Sequence, residues 1–328
     1  MKTPRIVLLG GGTGSFTLLQ GLKQLTPQLT AIVNMSDDGG STGILRDELG
    51  VLPPGDVRQC LVALSDNPDV RDLFSYRFAE GRFEGQSLGN IILSGLELRH
   101  GSFTKAVQVA SDILHITGHV VPVTTDKHTL VVQDGDRVYR GEHVIDGPLK
   151  LSGAARVRLE PAAQLNPAAI QAIAAADMVV LAPGSLHSSL LPILAVDGMA
   201  EALQATPAVV VSVANLVNKP RQTDDWHVVD YAQQFARYIG DATVDTVLYN
   251  NQSIAVELLK KYAAEGEFPV RTDAARFKEV PIRAIGARLV AQDIVARQVP
   301  GDQIRRTLIR HDAAAVCDEL RKLIVAKA

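Results

Sequence analysis

With 328 residues, 46% of them hydrophobic and 21% charged, the chain has ample apolar side chain for a large core, which excludes a natively disordered segment. A formal net charge of −3 excludes a global basic field for nucleic acid or an anionic membrane surface, and no stretch approaches the roughly 18–20 apolar residues that span a bilayer. Cys60 and Cys317 form no CxxC pair, no Cys/His group has zinc spacing, and the early apolar run Ile6 to Leu9 is far shorter than a signal-peptide core, so the expected setting is reducing and cytoplasmic.

The chain opens on "RIVLLGGGTGSFTLLQGLKQL", a predicted strand at residues 5–9 running through a glycine corner into a helical pattern at 16–25. Glycines let a backbone turn sharply and approach a ligand, and the helix that follows aims N–H groups and a positive dipole end into the turn. Gly11, Gly12, Thr13 and Gly14 are therefore candidate ligand contacts. The corner lacks the third glycine of GxGxxG and the lysine of a P-loop, which disfavours a dinucleotide-dependent oxidoreductase and an ATP-type site. A tight turn with no ligand is the plain alternative.

A second strand, predicted at 30–34, ends in "NMSDDGGSTG". In an open parallel sheet this loop would share the carboxyl edge with the first. Asp37 and Asp38 suit sugar hydroxyls or a hydrated Mg²⁺ on a diphosphate, or else belong to a solvated turn. "LPPGDVRQCL" sets Arg58 near the start of a helix at 57–64, as a phosphate clamp or an element of the cap. "GQSLGNIILSG" places Asn90 at the beginning of an apolar helix, 89–98, as a ligand contact or a simple cap.

Residues 119–160 break the rhythm with extended runs and Asp-Gly turn signals, which predicts a small antiparallel β insertion within a single domain spanning 1–328. His115 and His119 lie one helical turn apart, but Gly118 argues against a helix there and no third metal ligand accompanies them. No metal site is expected from residues alone.

Beyond a helix at 167–175, the strand at 178–182 ends in "APGSLHSSLLP", whose Gly184 and Ser185 stand at another helix start. The surroundings of Ser185 are not GxSxG, so a hydrolase nucleophile is not expected. The strand at 208–213 ends in "VANLVNKP", where the Asn215 amide is suited to a base or sugar edge. A last strand is predicted at 245–249, then a helix at 254–264 carrying Tyr262, and later "TLIRHD" with Arg310. An aromatic face suits a base and a guanidinium suits a diphosphate, although a snorkelling tyrosine and a capping "RHD" are equally ordinary uses.

Taken in order, "GGGTG", "DDGGSTG", "PPGDVRQ", "GQSLGN", "APGSLHSSLLP", "VANLVNKP" and "LIRHD" closely resemble the CofD-like family, and in particular its bacterial YvcK branch, the gluconeogenesis factors. The resemblance implies a Rossmann-like α/β fold, with a mostly parallel sheet flanked by helices. It also implies a cytoplasmic regulatory factor that binds a nucleotide-sugar such as UDP-N-acetylglucosamine and serves gluconeogenic growth, cell shape and peptidoglycan synthesis. The alternative it carries is a 2-phospho-L-lactate transferase using a guanosine diphosphate-type donor with Mg²⁺. Residue by residue it places ligand contacts at Gly10–Gly14, Asp37, Asp38, Asn90, Gly184, Ser185 and Asn215, and matches Tyr262 and Arg310 to residues implicated in UDP-sugar binding. Self-association, the identity of the base and whether a reaction occurs stay open. The sequence departs from the commonest pattern in "GQSLGN", which lacks a His before Ser87, and at His187, where a Tyr is frequent.

Overall fold

The computed structural model describes residues 3–240, 243–292 and 308–327. Its centre is a seven-stranded parallel sheet built from β1 (Ile6–Gly10), β2 (Leu29–Val33), β3 (His119–Pro122), β7 (Met178–Leu181), β8 (Val209–Val213), β9 (Thr246–Asn250) and β10 (Arg283–Ala287). The order across the sheet is β10-β9-β8-β7-β1-β2-β3, with Ile6 level with both Leu29 and Met178. Every residue of β1 and β7 is buried, because helices cover both faces, and this explains their unbroken apolar runs.

Helix Gly12–Leu25 packs between helices Gly55–Leu64 and Ala313–Lys327, while Leu88–His100 pairs with Phe103–Leu114. The first of these begins four residues earlier than its apolar spacing suggested. Gly11 is fully extended and Gly12 already belongs to the helix, so the glycine corner is itself the first helical turn.

A separate antiparallel sheet, order β5-β4-β6, consists of β4 (Thr129–Asp134), β5 (Arg137–Arg140) and β6 (Arg156–Glu160), with the short helix Glu142–Asp146 between the last two. This corrects the predicted boundaries of the insertion. His119–Pro122 pairs in parallel with β2 and forms the edge of the main sheet, where a strand-terminal proline costs no ladder bond. His115 ends the preceding helix in a left-handed conformation while His119 starts β3, so they share no helical face.

The sheet order reverses at β1, whose sequence successor β2 lies on one side and β7 on the other. Open α/β sheets bind ligands in the crevice at the carboxyl ends of strands flanking such a point.

Candidate functional site

At the carboxyl end of β1 the backbone is packed against its neighbours without room for side chains. A Cβ on Gly14 would overlap the Pro183 carbonyl oxygen from the end of β7, and one on Gly11 would overlap the Asp56 carboxylate. Gly12 N–H donates to Asp56 Oδ1 at 2.9 Å. The next N–H groups of this first turn have no carbonyl four residues earlier in the helix to bond, and Thr13 is exposed, so the corner presents donors to the crevice.

Asp56 was not singled out as a ligand contact in the sequence, and structurally it is the hub of the corner. It is buried beside Asp37, and burial followed by the Asp37 charge pushes its pKa up to about 7. Burial also raises Asp37, opposed by hydrogen bonds from Thr42 and the Gly39 N–H, the latter at 3.1 Å. Glu142, on the short helix of the small sheet, is pushed up to about 8 by burial and by the neighbouring Asp37, Asp146, Asp56 and Asp38. Asp56 and Glu142, both raised towards neutrality, thus stand with Asp37 on one side of the crevice.

Asp37 and Asp38 do not act as a pair. Asp38 turns away to accept from the N–H groups of Glu142 (2.9 Å) and His143 (2.6 Å) and to meet Arg46 at 3.7 Å, tying the short helix over the end of β2. The donor set expected for a Mg²⁺ shared by these two aspartates is therefore divided between two jobs, and among the described residues no group of three or more His, Cys, Asp or Glu side chains is disposed to hold a metal.

Arg58 and Asn90 meet in a buried network behind the acidic loop. Arg58 Nε donates to Asn90 Oδ1 at 2.9 Å, and Asn90 Nδ2 donates to Ser41 Oγ at 3.3 Å. Ser41 Oγ in turn donates to Gln86 Oε1 at 2.8 Å and accepts from Ser87 N–H at 3.1 Å. Both residues brace the loop carrying Asp37 from behind.

Across the crevice, the loop after β7 is pinned by a reciprocal pair. Gly184 N–H donates to Asn215 Oδ1 at 2.9 Å, and Asn215 Nδ2 donates to the Gly184 carbonyl at 2.8 Å. Asn215 thereby spends its amide on fixing Gly184 and Ser185 rather than presenting it open. Lys219, on the same "VANLVNKP" stretch, bonds Asp146 at 2.5 Å and lies 3.5 Å from Ser185 Oγ, with Ser188 Oγ donating to the same Asp146 oxygen at 2.9 Å. The short helix Glu142–Asp146 is thus anchored on both sides of the crevice, by Asp38 at one end and Lys219 at the other.

His187 lies in the π-helical turn Leu186–Leu190, fully buried, with neither ring nitrogen hydrogen-bonded. Burial lowers its pKa to about 4, so it is neutral at physiological pH.

Tyr262 and Arg310 meet through the backbone. Tyr262 packs with Leu216, Leu258, Val290 and Ile309 in a small apolar cluster, and its hydroxyl accepts from Ile309 N–H at 2.9 Å. His311, on the other side of Arg310, is buried and neutral, its pKa lowered to about 4, and bonds the Ala214 carbonyl at 3.1 Å, just past β8. Arg310 is therefore carried on a strap fixed on both sides, and Tyr262 supports that strap.

One more feature had no signal in the sequence. Beyond the ends of β8 and β9 lies an open cleft of about 260 Å³, lined by Asn215, Leu216, Tyr249, Asn251, Gln252, Ser253 and Thr272 among others. Its members come from four separate stretches, so no local pattern announces it.

Comparison with known proteins decides the family. The family model described as "2-phospho-L-lactate transferase CofD" matches residues 6–290. The chain belongs to the CofD family. Within it, the chain is 37% identical over 329 residues to the "Gluconeogenesis factor" of Bacillus subtilis (strain 168), covering 98% of this chain and 99% of that protein. It is 35% identical over 329 residues to the protein of the same name from Listeria innocua, covering 99% and 97%. A crystal structure of a UPF0052 family member from Bacillus halodurans superposes with a TM-score of 0.88 at 33% identity, covering 99% of each chain.

The motifs that identify this CofD-family chain fall in space as well as in sequence. The glycine corner, the acidic loop, the loop at Gly184 and the strap bearing Arg310 all belong to the carboxyl side of one sheet, whereas Arg58, Asn90 and Asn215 stabilise those loops from within.

Proposed function

We propose that this CofD-family protein binds a nucleotide-sugar of the UDP-N-acetylglucosamine class along the carboxyl edge of its sheet and acts as a cytoplasmic regulatory factor in gluconeogenic growth, cell shape and cell-wall synthesis. The observation that carries the reading is the apposition of the glycine corner and the Pro183–Gly184 loop at the point where strand order reverses. Backbone donors there suit a diphosphate, and Arg310 supplies a guanidinium on the same side of the sheet. Asp37 and Glu142 provide acceptors for sugar hydroxyls. The names of the Bacillus and Listeria relatives support the link to gluconeogenesis.

Calorimetric titration with UDP-N-acetylglucosamine, UDP-glucose and GDP tests this. Saturable binding of a uridine ligand is expected, and no heat with either uridine ligand rejects the proposal. A second reading, transfer of a phosphorus-containing group from a guanosine diphosphate-type donor, draws on the family model's description and on Asp56 and Glu142, whose pKa values of about 7 and about 8 suit proton transfer. Incubation of donor, Mg²⁺ and a deazaflavin acceptor should then give product.

A further inference from the structure

We infer that Lys219 is a phosphate contact of the crevice and the latch of the short helix Glu142–Asp146: it holds Asp146 in the free protein and passes to the diphosphate when ligand binds, loosening that end of the helix. The inference rests on the nucleotide-sugar reading and concerns how the same site reports that it is filled.

Lys219 Nζ lies 2.5 Å from Asp146 Oδ1 and 3.5 Å from Ser185 Oγ, so one ammonium spans the loop after β7 and the short helix of the small sheet. Ser185 follows Gly184, on the loop proposed to face the diphosphate. An ammonium carries three donors on a flexible stem, and it can turn from a carboxylate to a phosphate by rotating its own side chain.

The exchange gives up little. The Lys219 and Asp146 side chains are 28% and 50% exposed, and an ion pair this open to water is weak. Once released, Asp146 meets solvent and keeps the bond from Ser188 Oγ at 2.9 Å. A diphosphate offers a charge-assisted partner in a crevice whose backbone donors also hold it.

The helix feels the change because carboxylates crowd this side of the crevice. Burial, then the charges of Asp37 and Asp146, push Glu142 up to about 8, and Lys219 is the counter-ion at the Asp146 end. At the other end Asp38 accepts from the N–H groups of Glu142 and His143, which keeps Glu142 in the crevice. A further tie is Gln222, whose Nε2 donates to the Ile145 carbonyl at 2.6 Å. That tie has a cost beneath the helix. Gln222 Oε1 and both ring nitrogens of the neighbouring His187 are buried without a partner. Unpaired buried polar atoms disfavour the arrangement that contains them, and freeing Ile145 lets the Gln222 amide turn to the His187 ring. The latched position is thus a weak, exposed ion pair set against a buried mismatch, which is how an element with two positions is built.

The test combines calorimetry with UDP-N-acetylglucosamine and hydrogen–deuterium exchange of residues 142–147, on the wild type, Lys219→Gln and Asp146→Asn. In the wild type, saturating ligand should quicken exchange at the Asp146 end about fivefold, the reverse of the protection that cover by a ligand gives. Lys219→Gln should exchange quickly without ligand and bind about tenfold more weakly, having lost a charge-assisted contact. Asp146→Asn should also exchange quickly without ligand, yet bind more tightly than the wild type, because Lys219 no longer has to leave a carboxylate. An ion pair that only stabilises the fold moves both affinities in the same direction. That result, unchanged affinity in Lys219→Gln, or a wild-type segment that ligand slows or leaves unaltered overturns the latch while the binding heat keeps the nucleotide-sugar reading standing. A wild type that gives no heat with uridine ligands removes both.

Discussion

The two ends of the crevice are built on opposite plans. At β1 and β2 the polar groups are spent on one another: Asp56 holds Gly12 N–H, Asp38 holds the short helix of the small sheet, and Arg58 with Asn90 braces the loop between them. At β8 and β9 the polar side chains of Asn251, Gln252, Ser253 and Thr272 are left for something else to bond. Side chains that hold one another in this way fix the corner, and with it the backbone N–H groups that follow Gly12.

Filling the tight end should have the largest effect. Gly14→Val must push the first helix from the Pro183 carbonyl, and overpacking of this kind costs about 1–3 kcal/mol or more. Urea denaturation should show that loss, and a midpoint equal to wild type would mean that the corner is less closely packed than described.

Arg310→Ala comes next. Loss of a charge-assisted contact costs about 1.5–3 kcal/mol, so UDP-N-acetylglucosamine affinity should fall roughly 10- to 100-fold by calorimetry. Tyr262→Phe should cost less, about 1 kcal/mol, because it leaves Ile309 N–H without its acceptor and loosens the strap without removing the guanidinium. Equal losses from the two variants would place the tyrosine in direct contact with ligand.

The smallest effect is one of pH dependence. Because the Asp56 pKa is raised from 3.8 to about 7, the folded protein holds more protons than the unfolded chain between those values. This contribution to stability is complete below about pH 4 and is lost as pH rises through 7. Asp56→Asn removes the titration and keeps an acceptor for Gly12 N–H, so the drop in melting temperature between pH 5 and 8 should shrink by roughly 2–4 °C. An unchanged drop would assign the ionisation elsewhere in the cluster, with Glu142 the first to examine.

The same contrast explains what was legible in the sequence. β1, β2, β7, β8 and β9 were readable to within a residue or two because burial on both faces demands continuous apolar runs. The corner was readable because close backbone approach admits only glycine, as at Gly11 and Gly14. β3 and β10 were not foreseen as strands of the main sheet: "HVVP" sits at an edge beside a true antiparallel segment, and "RAIGA" is only partly buried. Asn215 and Tyr262 were noticed for their chemistry, but only the fold reveals that one fixes Gly184 and the other supports the Arg310 strap. Asp56 read as a helix-start residue because its partner Gly12 lies 44 residues away. The cleft at β9 was invisible, since its lining residues come together only when β8, β9 and the 269–272 segment are in place.

A crystal structure of the protein with UDP-N-acetylglucosamine tests the central claim most directly. One continuous ligand is expected along the carboxyl edge, with diphosphate density between Gly12–Gly14 and Gly184. Ligand density away from that edge, with the crevice between β1 and β7 unchanged, would contradict it.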